Sequence, residues 1–105
     1  MDNLSIIKAL KKHLQDNFGS VVKDVILFGS RAAGTAVDDS DYDVLIVLTE
    51  DYNWRDENKI LDLCYDMNLK YDILIDAHFI SQKGLSTLRG KQPIFVNAIK
   101  FGLHA

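Results

Sequence analysis

The chain has 105 residues, a single cysteine and a formal net charge of -3. One cysteine excludes an internal disulfide, the acidic balance argues against a broad nucleic-acid-binding face, which would be basic, and no apolar run approaches the ~20 residues that span a bilayer. The size suits one domain over 1–105 with one core. The start, Met1-Asp2-Asn3-Leu4, lacks the basic and apolar blocks of a signal peptide, so the expected compartment is the cytoplasm. A small polyanion is still an admissible ligand, because a metal ion can supply positive charge.

Leu4, Ile6, Ile7, Leu10, Leu14 and Phe18 recur at helical spacing over 3–18, with Lys8, Lys11, Lys12 and Asp16 opposite and Gly19 as a stop. Val22 to Phe28 is short and β-branched and predicts a strand. A second strand follows over 42–48, where five consecutive apolar residues, Val44 to Leu48, mean that both faces are covered and the strand lies mid-sheet. Residues 54–69 carry an apolar helical stripe of Ile60, Leu61, Cys64 and Met67. Tyr71 to Ile75 predicts a third strand. Ser81 to Leu88 and Pro93 to Phe101 predict two helices separated by Gly90, with Pro93 at a first helical position. The order implies an α/β fold of α+β type, with a small mixed sheet of three to four strands flanked by helices. Cys64 and Trp54 are expected in the core. His13, His78 and His104 are dispersed, with no metal-ligand spacing.

The chemistry concentrates between the first two strands. Gly29-Ser30 follows the apolar run Val25-Ile26-Leu27-Phe28, and Asp41-Tyr42-Asp43 opens the next. A glycine lets a phosphate approach the backbone where a Cβ would obstruct it, and Ser30 adds a hydroxyl donor. A short helix starting near Ser30 would aim its N-terminus at the same point. Alternation along a strand projects Asp41 and Asp43 to one face and sends Tyr42 to the other. Two carboxylates so close repel unless a cation lies between them, and hard oxygen ligands suit Mg²⁺. The competing reading is a solvated acidic turn made of Asp38, Asp39, Ser40, Asp41 and Asp43. It is disfavoured because Asp43 adjoins an apolar run where an uncompensated charge is costly. A third carboxylate is offered by Asp72 or Asp76. Asp72, at the head of the predicted third strand, is preferred, and Asp76 reads more simply as a strand-end residue facing water.

The pattern Gly-Ser, ten residues, Asp-x-Asp from Gly29 to Asp43 resembles the nucleotidyltransferase superfamily that includes DNA polymerase β. The length, together with Gln92-Pro93-Ile94-Phe95 through Ile99-Lys100-Phe101-Gly102, resembles the minimal nucleotidyltransferases encoded beside HEPN-domain toxins. The resemblance implies a polymerase β-like fold and transfer of AMP from ATP, with pyrophosphate leaving. It implies two Mg²⁺ ions held by Asp41, Asp43 and Asp72, with Asp72 also assisting deprotonation of the acceptor. Gly29 and Ser30 would hold the β- and γ-phosphates, with Arg31 beside them. It further implies a HEPN toxin as partner, its tyrosine as acceptor, and an antitoxin role. Many relatives carry a second arginine where this chain has Ala33, which would lower affinity if that guanidinium contacts phosphate or partner. Two other readings are a small-molecule nucleotidyltransferase, of aminoglycoside type, whose site is completed by a dimer, and an antitoxin that acts by contact alone.

Overall fold

The computed structural model describes residues 2–34, 41–87 and 89–105. The acidic turn at Asp38, Asp39 and Ser40 and the predicted helix end at Leu88 lie outside the described residues. The chain runs α1 (Asn3–Phe18), β1 (Val22–Phe28), α2 (Gly29–Ala33), β2 (Tyr42–Leu48), α3 (Trp54–Tyr71), β3 (Ile75–Ser81), α4 (Gln82–Leu85), α5 (Pro93–Phe101) and β4 (Leu103–His104), with short 3₁₀ turns at Gly19–Val21 and Arg89–Lys91. Asp2 caps α1, its carboxylate accepting from the Ser5 N–H at 2.7 Å. Asn53 and Asp56 form a reciprocal capping box at the start of α3.

The four strands lie in the order β3-β2-β1-β4. β1 pairs antiparallel with β2 and with β4, whereas β2 and β3 are parallel. A parallel pair needs a crossover, and α3 supplies it. Strand alternation divides the buried residues between two faces. Val25, Leu27, Val44, Ile46, Leu48 and Phe79 meet Ile7, Leu10, Leu14, Ile60 and Cys64 of α1 and α3. Ile26, Leu45, Val47 and Ile80 meet Phe95 and Ala98 of α5 on the other face. Helices thus cover both faces of β2, as its unbroken apolar run requires.

Three expectations are corrected. The third strand is Ile75–Ser81 rather than 71–75, because α3 runs on to Tyr71 and ends in a left-handed residue, Asp72, with φ 53° and ψ 52°. The Asp72 and Ile73 amides both turn back to the Asn68 carbonyl, and the Asn68 side chain accepts from the Ile75 N–H at 3.0 Å. These bonds hold 72–74 as a connection, and sheet pairing starts only there, where the Tyr42 N–H donates to the Leu74 carbonyl at 2.8 Å. The helix predicted over 81–88 is reduced to Gln82–Leu85. Trp54, expected in the core, is 67% exposed at the first position of α3. Among the described residues no helix is long and apolar enough to cross a membrane.

Candidate active site

Register brings the chemistry together. Phe28 of β1 lies opposite Asp43 of β2, and Asp43 lies opposite Asp76 of β3, so one rung crosses three strands. Asp43 shares its strand face with Leu45 and Val47, and Asp76 and His78 share theirs with Ile80. Those residues pack under α5, so the rung projects from the α5 face of the sheet. Tyr42 points the other way and is buried in the α1–α3 core, as the alternation predicts.

Asp43, Asp76 and His78 each offer a ligand atom, and these atoms all lie within 4.8 Å of one another. His78 Nε2 is 3.5 Å from Asp76 Oδ2, and the Phe28 ring meets the imidazole edge-on, with centroids 5.5 Å apart. Burial pushes the Asp43 carboxyl above its usual range. The charge of Asp76, the charge of Asp41 and a hydrogen bond with Asp76 push the same way, while His78 opposes them. Apposed carboxylates of this kind are relieved by a shared proton or a cation.

Gly29 sits at the end of β1 with φ +75°, a backbone conformation that disfavours L side chains. An ideal Cβ built on it would lie 2.5 Å from Asp43 Oδ2. The glycine turn and the carboxylate therefore meet at one point, and a side chain at 29 would occupy the space between them. α2 begins at Gly29, as the sequence suggested. Arg31 is half-buried, its guanidinium 4.0 Å from the Tyr42 ring centroid, and its carbonyl accepts from the Asn3 side chain at 3.3 Å. A cavity of about 320 Å³ opens beside Gly29, between α2 and α5, lined by Phe28, Ala32, Ile94 and Phe101 among others.

The donor set fits a divalent ion. Two carboxylates and one imidazole bring ligand atoms within 4.8 Å of one another beside a side-chain-free turn, a small closing movement from the about 4 Å that separates opposite ligands on one ion. The structure places the predicted residues unequally. Asp43 and Gly29 are in contact distance of each other; Asp41, exposed immediately before β2, is outside the three-residue cluster, though near enough for its charge to act on Asp43. Asp72 stands outside the cluster, as the exposed left-handed residue that closes α3, and Asp76 takes the place opposite Asp43. His78 was missed. The spacing Asp76-x-His78 becomes visible as a same-face pair only once β3 is known to begin at Ile75.

The family model of the nucleotidyltransferase domain matches residues 7–102. The chain belongs to the nucleotidyltransferase domain family. Two proteins of Methanocaldococcus jannaschii, MJ0141 and MJ0604, both carrying the name "putative protein adenylyltransferase", are similar to it. The first is 40% identical over 83% of this chain and 87% of its own length, the second 35% identical over 73% and 72%. Among solved structures, a toxin–antitoxin chain crystallised with AMP-PNP has a TM-score of 0.62 at 20% identity, covering 97% of this chain and 71% of the other. A chain from a mutant of the toxin–antitoxin MntA-HpeT has a TM-score of 0.60 at 18% identity, covering 92% and 69%. At such identities these two likenesses speak for the fold, and they agree with the mixed four-stranded sheet seen here.

Proposed function

We propose that this chain is a protein adenylyltransferase, moving AMP from ATP to a hydroxyl group of a partner protein, with a tyrosine of a HEPN-domain toxin as acceptor and silencing of that toxin as the outcome. The reading rests on one geometric fact above the others: the Gly29 turn abuts the Asp43 carboxylate, which in turn faces Asp76 across the parallel ladder. The names of the curated relatives and of the similar toxin–antitoxin structures support the acceptor class.

In this reading the acceptor oxygen forms a bond to the α-phosphorus of ATP while the bond to the β-phosphate oxygen breaks and pyrophosphate leaves. Gly29 and Ser30 hold the leaving phosphates, the glycine because nothing projects from its Cα into that space. Arg31, expected beside them, is held against Tyr42, which points away from the sheet face that carries Asp43, so its side chain would have to turn to reach the phosphates. Asp41, Asp43 and Asp76 would hold Mg²⁺, which would offset charge on the entering and leaving oxygens. Asp76, the exposed member of the rung, would take the acceptor's proton.

The test is transfer of label from α-labelled ATP, in Mg²⁺, onto the protein encoded next to this one. Replacing both Asp41→Asn and Asp43→Asn is expected to lower transfer at least about a hundredfold while leaving the far-ultraviolet circular dichroism unchanged. An unlabelled but inhibited partner would replace this reading with inhibition by contact. Label on a small acceptor would replace it with a small-molecule transferase.

A further inference from the structure

Beside the rung of three strands stands a residue that a purely carboxylate site does not require. His78 lies two positions beyond Asp76 on β3 and shares its face. Its Nε2 is turned toward Asp76 Oδ2 at 3.5 Å. That separation is longer than a good N–H···O hydrogen bond, which falls at about 2.7–3.2 Å. It falls between the spacings of adjacent and of opposite ligands on one ion, about 3 Å and about 4 Å when each metal–ligand bond is about 2.1 Å. The ring is held by the edge-on contact with Phe28, itself the residue opposite Asp43. Only about a third of the imidazole is exposed, with a relative accessibility of 32%. Its nitrogen is thus positioned by the same three strands that position the carboxylates.

We infer that His78 is a direct ligand, through Nε2, to the divalent ion held by Asp43 and Asp76, and that this nitrogen donor makes the site favour manganese over magnesium. The inference rests on the metal-binding reading of the site given above and adds to it a ligand and a preference. Magnesium is hard, sheds water reluctantly and takes oxygen ligands. Imidazole is a donor for first-row transition ions; Mn²⁺ binds most weakly among them and shares with Mg²⁺ a liking for carboxylate, so a nitrogen donor is what separates the two ions at a carboxylate site. A site of two carboxylates and one imidazole should therefore bind Mn²⁺ more tightly than an all-oxygen site would, with little gain for Mg²⁺.

Binding can be read without nucleotide or partner. Free Mn²⁺ is followed by electron paramagnetic resonance on addition of the whole chain, with Mg²⁺ as competitor, for wild type, His78→Gln and Asp43→Asn. The ratio of the Mg²⁺ to the Mn²⁺ dissociation constant is expected to fall about tenfold in His78→Gln. With Co²⁺, proton magnetic resonance should show an exchangeable, contact-shifted imidazole N–H signal in the wild type. It should be lost in His78→Gln and in Asp43→Asn. The wild-type cobalt spectrum, with its dependence on Asp43, decides the matter even if His78→Gln folds poorly. An unchanged metal ratio and no contact-shifted signal would overturn the inference and leave the carboxylate site standing. No binding of either ion, with Asp43→Asn indistinguishable from wild type, would overturn both.

Discussion

At the scale of single residues, Gly29 carries two separable constraints, and a comparison of two alanine variants divides them. Gly29 and Gly34 both have φ +75°, but a Cβ at Gly34 meets nothing within 4 Å, whereas at Gly29 it meets the Asp43 carboxylate. A left-handed backbone costs an L-residue about 1–2 kcal/mol. Gly29→Ala and Gly34→Ala are therefore expected to lose similar stability in urea denaturation, while only Gly29→Ala displaces Asp43 and depresses label transfer. Equal transfer by the two variants would detach the turn from the carboxylate. The two candidate third carboxylates are divided in the same way. Asp72 occupies a left-handed position at the end of α3, where glycine is the preferred residue. Asp72→Gly is expected to raise stability by up to about 1 kcal/mol and to keep transfer, and Asp76→Asn to lose transfer with its fold intact. The reverse pattern would restore Asp72 to the site.

The elements were legible wherever a long apolar pattern specified them. α1 and β2 appear with the predicted bounds because their stripes are continuous. The start of β3 was displaced by four residues because Ile73-Leu74-Ile75 is as apolar as a strand, while Asn68, on the preceding helix, takes the Ile73 and Ile75 amides through its carbonyl and its side chain. That shift also explains why Asp72 was preferred to Asp76 and why His78 was not grouped with them: a cluster of side chains spread over parallel strands is set by register, which no local pattern states. β4 is two residues long, too short for periodicity, and tertiary contacts create it. His104, legible in the sequence only as one of three dispersed histidines, places Nδ1 2.7 Å from Asp24 Oδ2 and Nε2 2.9 Å from the Ile99 carbonyl. Both neighbours are acceptors, so only the doubly protonated ring satisfies them. The bond to Asp24 and then the bond to Ile99 raise the His104 pKa, against burial and the Lys11 ammonium beside Asp24. The ring thus binds its proton more tightly folded than unfolded. Its contribution is complete below the unfolded value near about 6.5 and is lost as pH rises through the folded one. Melting temperature is expected to fall more between pH 6 and pH 9 in wild type than in His104→Gln, with the His104 ring titrating above the ordinary histidine range by magnetic resonance. Parallel pH profiles for the two proteins would refute the clasp.

The whole molecule places a cluster of charge at the margin of a sheet whose two faces are otherwise filled, and Cys64 reports on both. It is 2% exposed in the core between α3 and the sheet, and burial pushes its thiol up to about 12. At pH 8 the folded protein then carries only about one thiolate in ten thousand, on a side chain that reagent cannot reach. Modification by a disulfide reagent must wait for opening. Because Cys64 touches the same core as α1 and the three longer strands, that opening should be global unfolding, and the free energy obtained from the labelling rate should match that from urea denaturation. An ion bound only by the folded cluster adds RT ln(1 + [ion]/Kd) to this free energy, about 2.7 kcal/mol at a hundredfold excess over Kd. Saturating Mn²⁺ should therefore slow Cys64 labelling about a hundredfold in wild type and leave it unchanged in Asp43→Asn, whose cluster has lost its central ligand. Labelling that is fast in the native protein would show that the α1–α3 core opens locally. Labelling that is slow but indifferent to the ion in both proteins would place the ion somewhere other than the rung that Gly29, Asp43 and Asp76 build.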